Sequence, residues 1–126
     1  MVGLKGRPYI AMTFEEYQKK SRKTAMYPKT MPGQVEPIYL YPTLGLAGEA
    51  GEVVEKVKKL VRNNEAEITE EFRQGIGKEL GDVLWYVSQL ATDLDLSLEE
   101  IAKLNINKAR SRMERGVLHK PGGDDR

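Results

Sequence analysis

Two acidic clusters stand out in this chain, Glu49-Ala50-Gly51-Glu52 and Glu79-Leu80-Gly81-Asp82. Both carry Gly just before the second acid, and both are followed by an aliphatic pair, Val53-Val54 in the first and Val83-Leu84 in the second. On a helix, residues three apart project to one side. Two such helices packed side by side would therefore gather four carboxylates, and four negative charges a few ångströms apart are too costly to leave bare. Hard oxygen donors with no His or Cys among them suit Mg²⁺, with Mn²⁺ as a substitute, better than zinc or copper. A lone acid pair is ordinarily a solvated helix face; the repetition of the pattern is what sets a metal centre beside that reading. Gly51 and Gly81 each cost about 1 kcal/mol against Ala inside a helix, which leads us to expect a closely approaching backbone at both.

The elements that must position these acids are helices. Thr13-Phe14-Glu15-Glu16 fits a capping box opening a first helix that should run to about residue 25. Pro28, Pro32, Gly33, Pro37 and Pro42 then rule out a continuous helix, so residues 26–42 are expected as a long ordered loop carrying Tyr27, Tyr39 and Tyr41. Over residues 43–62 the residues Leu46, Ala50, Val53, Val57 and Leu60 recur at helical spacing, and Asn63-Asn64 is the stop. Thr69 should cap a third helix with Glu70 and Glu71 in its first turn and an apolar stripe of Phe72, Ile76, Leu80, Val83, Val87, Leu90 and Leu94. Ser97-Leu98-Glu99-Glu100 reads as a second capping box, opening a fourth helix that ends near Gly116. No strand-like alternation or internal boundary appears. The expectation is one all-α domain over residues 1–126, a four-helix bundle-like fold with a long Pro-rich loop between its first two helices and an irregular lead-in (1–12) and tail (117–126).

On helical wheels, Glu49 and Glu52 lie at one border of their helix's apolar stripe, with Lys56 between them. Glu79 and Asp82 stand in the same relation to theirs, with Tyr86 between. Acids at the edge of a packed seam can be partly desolvated and still open to a ligand; acids meant for solubility more often take the far face. The near-neutral balance, formal net charge +1, gives no electrostatic case for a nucleic-acid polymer as partner. The absence of cysteine excludes thiol nucleophiles and thiolate metal sites. No apolar run is long enough for a membrane span or signal peptide, so a cytoplasmic protein is expected.

The segments Leu44-Gly45-Leu46-Ala47-Gly48-Glu49-Ala50-Gly51-Glu52-Val53-Val54-Glu55 and Lys78-Glu79-Leu80-Gly81-Asp82-Val83-Leu84-Trp85-Tyr86 together resemble the MazG-like nucleoside triphosphate pyrophosphohydrolases. That family's E-x-x-E, spacer, E-x-x-D signature is matched one for one by Glu49, Glu52, Glu79 and Asp82, while the Pro-rich loop is less typical of it. The resemblance implies an all-α, Mg²⁺-dependent enzyme that cleaves a nucleoside triphosphate between its α and β phosphates. It also implies a homodimer or homotetramer with helices of neighbouring subunits around each site. The four acids are then the metal ligands, and Glu55, one helical step along, could orient or deprotonate the attacking water or be merely solvated. Lys108, with Asn105 beside it, is the candidate phosphate contact. Arg112 and Lys56 are candidates of the same kind, with a plain surface charge as the alternative.

Tyr86, one turn after Asp82, could stack on the sugar or base, or hydrogen-bond a phosphate. Trp85 lies off the apolar stripe and is expected in a subunit interface, and Phe14, Tyr17 and the loop tyrosines could close the pocket. Three alternatives stand beside this reading. A di-iron bundle needs histidines that the chain lacks. A phosphoribosyl-ATP pyrophosphohydrolase would share the fold and metal chemistry, and a catalytically silent helical binding module would share only the fold.

Overall fold

The computed structural model describes residue 6 and residues 10–28 and 38–116. Four helices follow one another: α1 (Phe14–Arg22), α2 (Leu40–Arg62), α3 (Glu70–Asp93) and α4 (Leu98–Glu114). No strand occurs among the described residues, and the protein is all-α. Most of the lead-in, loop residues 29–37 with Pro32, Gly33 and Pro37, and the tail from residue 117 with His119 lie outside them.

Local chemistry accounts for each helix end. Thr13 Oγ1 accepts the Glu16 N–H (3.1 Å) and Glu16 Oε2 accepts the Thr13 N–H (2.8 Å), which makes the expected capping box. α1 closes at Arg22, short of residue 25, because the Thr24 hydroxyl turns back to donate to the Ser21 carbonyl (2.7 Å). α2 begins at Leu40 rather than at Thr43. Pro42 sits in its first turn, where the missing N–H has no intrahelical acceptor to lose, so proline is no obstacle there. Asn63 ends α2, and Asn64 takes the left-handed conformation (φ 52°). Thr69 caps α3 by accepting the Phe72 N–H (3.1 Å). Ser97 Oγ accepts the Glu100 N–H (3.2 Å), but the reciprocal bond of the second capping box is not made. Gly116, with φ 66°, follows α4 as its C′ residue.

α2 and α3 form an antiparallel hairpin in which Gly45 faces Tyr86, Glu49 meets Asp82, and Lys56 lies against Gly75. α1 packs on α3 largely through polar groups. Ser21 Oγ is 3.0 Å from Ser88 Oγ, Gln89 Nε2 donates to Ser21 Oγ (3.1 Å), and Arg22 pairs with the buried Asp93 carboxylate (2.9 Å). Gln18 Oε1 accepts the Leu98 N–H (2.9 Å) and so ties the start of α4 to α1. α4 touches α1 and α3 but not α2. Among the described residues, Pro42, Ala91 and Leu98 are the fully buried apolar side chains. The apolar stripes read from the sequence are helical in phase yet only partly covered: Leu80 is 53% and Val57 44% exposed.

Candidate metal centre

The antiparallel register brings one end of each acidic motif together. Glu49 on α2 and Glu79 and Asp82 on α3 each place a carboxylate oxygen within 4.8 Å of the other two. Glu52, one turn further along α2, is exposed and stands outside that group, although its charge reaches Glu49. Burial, reinforced by the charges of Asp82, Glu79 and Glu52, pushes the Glu49 carboxyl above its ordinary value. A proton is thus favoured where like charges converge, and a divalent cation would relieve the same repulsion. The donor set is all carboxylate, as Mg²⁺ or Mn²⁺ prefers, and no His or Cys enters it.

Two neighbouring charges take different roles. Glu55 bonds along its own helix to Lys58 Nζ (2.7 Å) and Lys59 Nζ (3.8 Å), and the Lys58 bond holds its carboxyl below the usual range. Lys56, also on α2, crosses to α3 and lies 3.3 Å from Glu79 Oε1.

Aromatic side chains flank the acids. The Tyr86 phenol is pushed up by burial and by neighbours that include Tyr41, Glu49 and Asp82. Tyr17 of α1 is raised by burial and by Asp82. Tyr41 stacks on Tyr27 (ring centroids 5.2 Å apart), and Trp85 meets Tyr27 and Tyr86 edge-on at 6.1 and 5.0 Å. Trp85, expected at a subunit interface, is engaged within the chain, and its Nε1 donates to Thr24 Oγ1 (2.9 Å). Phe14 is partly exposed on α1.

The glycine expectation needs correction. Around Gly51 and Gly81 there is open space where an approaching backbone was expected; the glycine under steric demand is Gly45, whose added Cβ would overlap the Tyr86 ring. The available signal was a glycine inside a strongly periodic helical segment, and Gly45 carried it as clearly as Gly51 did. The Lys56–Glu79 pair had no sequence signal beyond the place of Lys56 between Glu49 and Glu52 on its own helical wheel. Asn105, Lys108 and Arg112 all sit on α4, which does not touch α2. Neither Asn105 nor Lys108 has a side-chain hydrogen bond or ion pair among the described residues.

The family model for the MazG nucleotide pyrophosphohydrolase domain matches residues 41–117, from the first turn of α2 past the end of α4. The chain is also similar to the Gene 37 protein of Mycobacterium phage L5, at 44% identity over 117 residues, which cover 91% of this chain and 100% of that one. No solved structure shows a significant match. An antiparallel helical hairpin joining Glu49 to Glu79 and Asp82, inside a segment that matches this family over most of the chain, leads to one assignment: the chain belongs to the MazG nucleotide pyrophosphohydrolase family.

Proposed function

We propose that the protein is a Mg²⁺-dependent hydrolase that cleaves a nucleoside or deoxynucleoside triphosphate between the α and β phosphates, releasing monophosphate and pyrophosphate. The observation that carries this reading is the convergence of Glu49, Glu79 and Asp82 within 4.8 Å, inside the segment matched by the family model. Glu49, Glu79 and Asp82 would hold the ion, with Glu52 as the fourth carboxylate one turn away. When bound, Mg²⁺ or Mn²⁺ supplies neutralisation of phosphate charge and a water of lowered pKa. Carboxylates can face a polyanionic substrate only across such a cation. Tyr86, whose phenol is influenced by Glu49 and Asp82, is the candidate contact for the sugar or base. The lysine contacts of Glu55 favour a solvated role for it over water activation.

Association of identical chains belongs to the same proposal. Val54, Val61 and Leu104 are largely exposed, and fully buried apolar side chains are few among the described residues. α4 touches α3 but not α2 of its own chain, so it reaches only one of the two helices that carry the acids; the phosphate contacts proposed for Asn105, Lys108 and Arg112 are therefore assigned to a neighbouring subunit's acids, in a homodimer or homotetramer.

The deciding experiment is a product assay on canonical and modified triphosphates and phosphoribosyl-ATP, with Mg²⁺ and with EDTA. Expected is Mg²⁺-dependent monophosphate plus pyrophosphate, abolished by Glu52→Ala or Asp82→Ala. Release of orthophosphate and diphosphate would place the cleavage elsewhere. No turnover, joined with a melting temperature indifferent to Mg²⁺ and nucleotide, would make the chain a helical binding module instead.

A further inference from the structure

The Lys56 ammonium lies 3.3 Å from Glu79 Oε1, and Glu79 is one of the three acids whose oxygens converge. Both side chains are partly shielded from water, at 37% and 17% exposure. The other lysine ion pairs of the described residues, Lys19–Glu15 and Lys58 and Lys59 with Glu55, stay within one helix; Lys56–Glu79 joins α2 to α3 at the acids themselves. Its stem runs along α3 at Gly75, where an added Cβ would meet Lys56 Nζ, Cδ and Cε at 3.8–3.9 Å. The lysine is therefore laid against the neighbouring helix and directed at one carboxylate, unlike a lysine extended into solvent.

We propose that Lys56 is the resident counter-ion of the acid cluster: it holds Glu79 when no metal is bound and competes with the incoming divalent cation for that oxygen. This rests on the metal-centre reading above. A monovalent ammonium beside converging carboxylates lowers their mutual repulsion and keeps the hairpin closed. The same charge opposes a second cation at the same seat, so Lys56 sets how much metal is needed to load the site. Glu49 and Asp82 share the cluster with Glu79 and hold no lysine among the described residues, so Glu79 is the ligand whose availability Lys56 controls.

The test is titration of the full chain with Mg²⁺ alone by calorimetry, on the wild type, Lys56→Met and Lys56→Arg, alongside thermal melts with and without Mg²⁺. Removing one opposed charge at this distance is expected to tighten Mg²⁺ binding by about tenfold in Lys56→Met. The melting temperature of that variant without metal should fall below the wild type, and saturating Mg²⁺ should close the gap. Lys56→Arg should keep the wild-type melting temperature and bind Mg²⁺ no more tightly than the wild type. The ¹⁵Nζ resonance of Lys56 in the unaltered protein should shift as Mg²⁺ is added, a readout that needs no variant to fold. Unchanged or weaker Mg²⁺ binding by Lys56→Met, or a static Nζ resonance in a wild type that binds Mg²⁺, would overturn the role of Lys56 and leave the metal centre standing. A wild type that binds no Mg²⁺ would remove both.

Discussion

Gly45 on α2 lies directly beneath the ring of Tyr86 on α3, so closely that a Cβ at position 45 would overlap the ring. This contact fixes how the two helices approach at the acid cluster, because Tyr86 stands one turn beyond Asp82 and its phenol responds to both Glu49 and Asp82. Gly45→Ala should destabilise the protein by about 1–3 kcal/mol through overpacking, despite the better helix propensity of Ala. Gly48→Ala, at a position open to space, should instead gain up to about 1 kcal/mol. Paired denaturant melts would check the contrast, and equal effects at the two positions would refute the placement of Tyr86.

Metal loading should follow the convergence of three acids. Glu79→Gln and Asp82→Asn each remove a donor from a group spanning 4.8 Å and should lower Mg²⁺ affinity and turnover by about a hundredfold or more. EDTA should abolish the wild-type reaction, and added Mg²⁺ should restore it. Calorimetry of the two variants separates lost metal from lost fold, since both replacements keep the side-chain shape.

Alkaline stability should report on Tyr27. Its hydroxyl donates to Asp93 Oδ2 (2.6 Å) and accepts from Arg22 (2.8 Å). Burial and the Asp93 bond, opposed by Arg22, push the phenol from 10 to about 12. The fold thus favours the neutral phenol, so this contribution is complete below pH 10 and is lost as pH rises through 12. Unfolding free energy measured from neutral pH to pH 12 should fall more steeply for the wild type than for Tyr27→Phe above pH 10. Parallel curves would contradict the assignment.

Asp93 is the buried end of the same network, paired with Arg22 at 2.9 Å. Asp93→Ala would strand the partly buried guanidinium and should cost about 3 kcal/mol. Arg22→Met together with Asp93→Leu should recover much of that loss, because an apolar pair of similar size needs no partner.

If α4 of one chain serves the acids of another, two inactive variants should rescue each other. Glu79→Gln and Lys108→Ala, refolded together at equal amounts, should regain about a quarter of wild-type activity for a dimer, since half the dimers are mixed and each has one intact site. No recovery in a demonstrated mixed dimer would mean that each site is served by its own chain.

The four helices could be read from the chain because their signals are local. The Thr13–Glu16 box, the Thr69 and Ser97 caps and Gly116 all act within one turn of the helix they bound. The sequence puts the start of α2 at residue 43 and the structure puts it at Leu40, because proline breaks a helix interior but not a first turn, and only the rest of the helix tells which position Pro42 holds.

Likewise, the pairing of acids three apart and their place at the edge of an apolar stripe follow from helical geometry, so the motifs could be named as a candidate metal site without any fold. What the sequence could not decide was the rotation and offset of α2 against α3. Those depend on contacts between residues far apart in the chain, above all Gly45 under Tyr86 and Lys56 along Gly75. That register selects Glu49 ahead of Glu52 to meet Glu79 and Asp82, turns Lys56 onto Glu79, and keeps α4 with Lys108 away from α2. Which helices form and which faces carry the acids follow from interactions spanning a turn or less; which acids meet follows from the packing of α2 on α3.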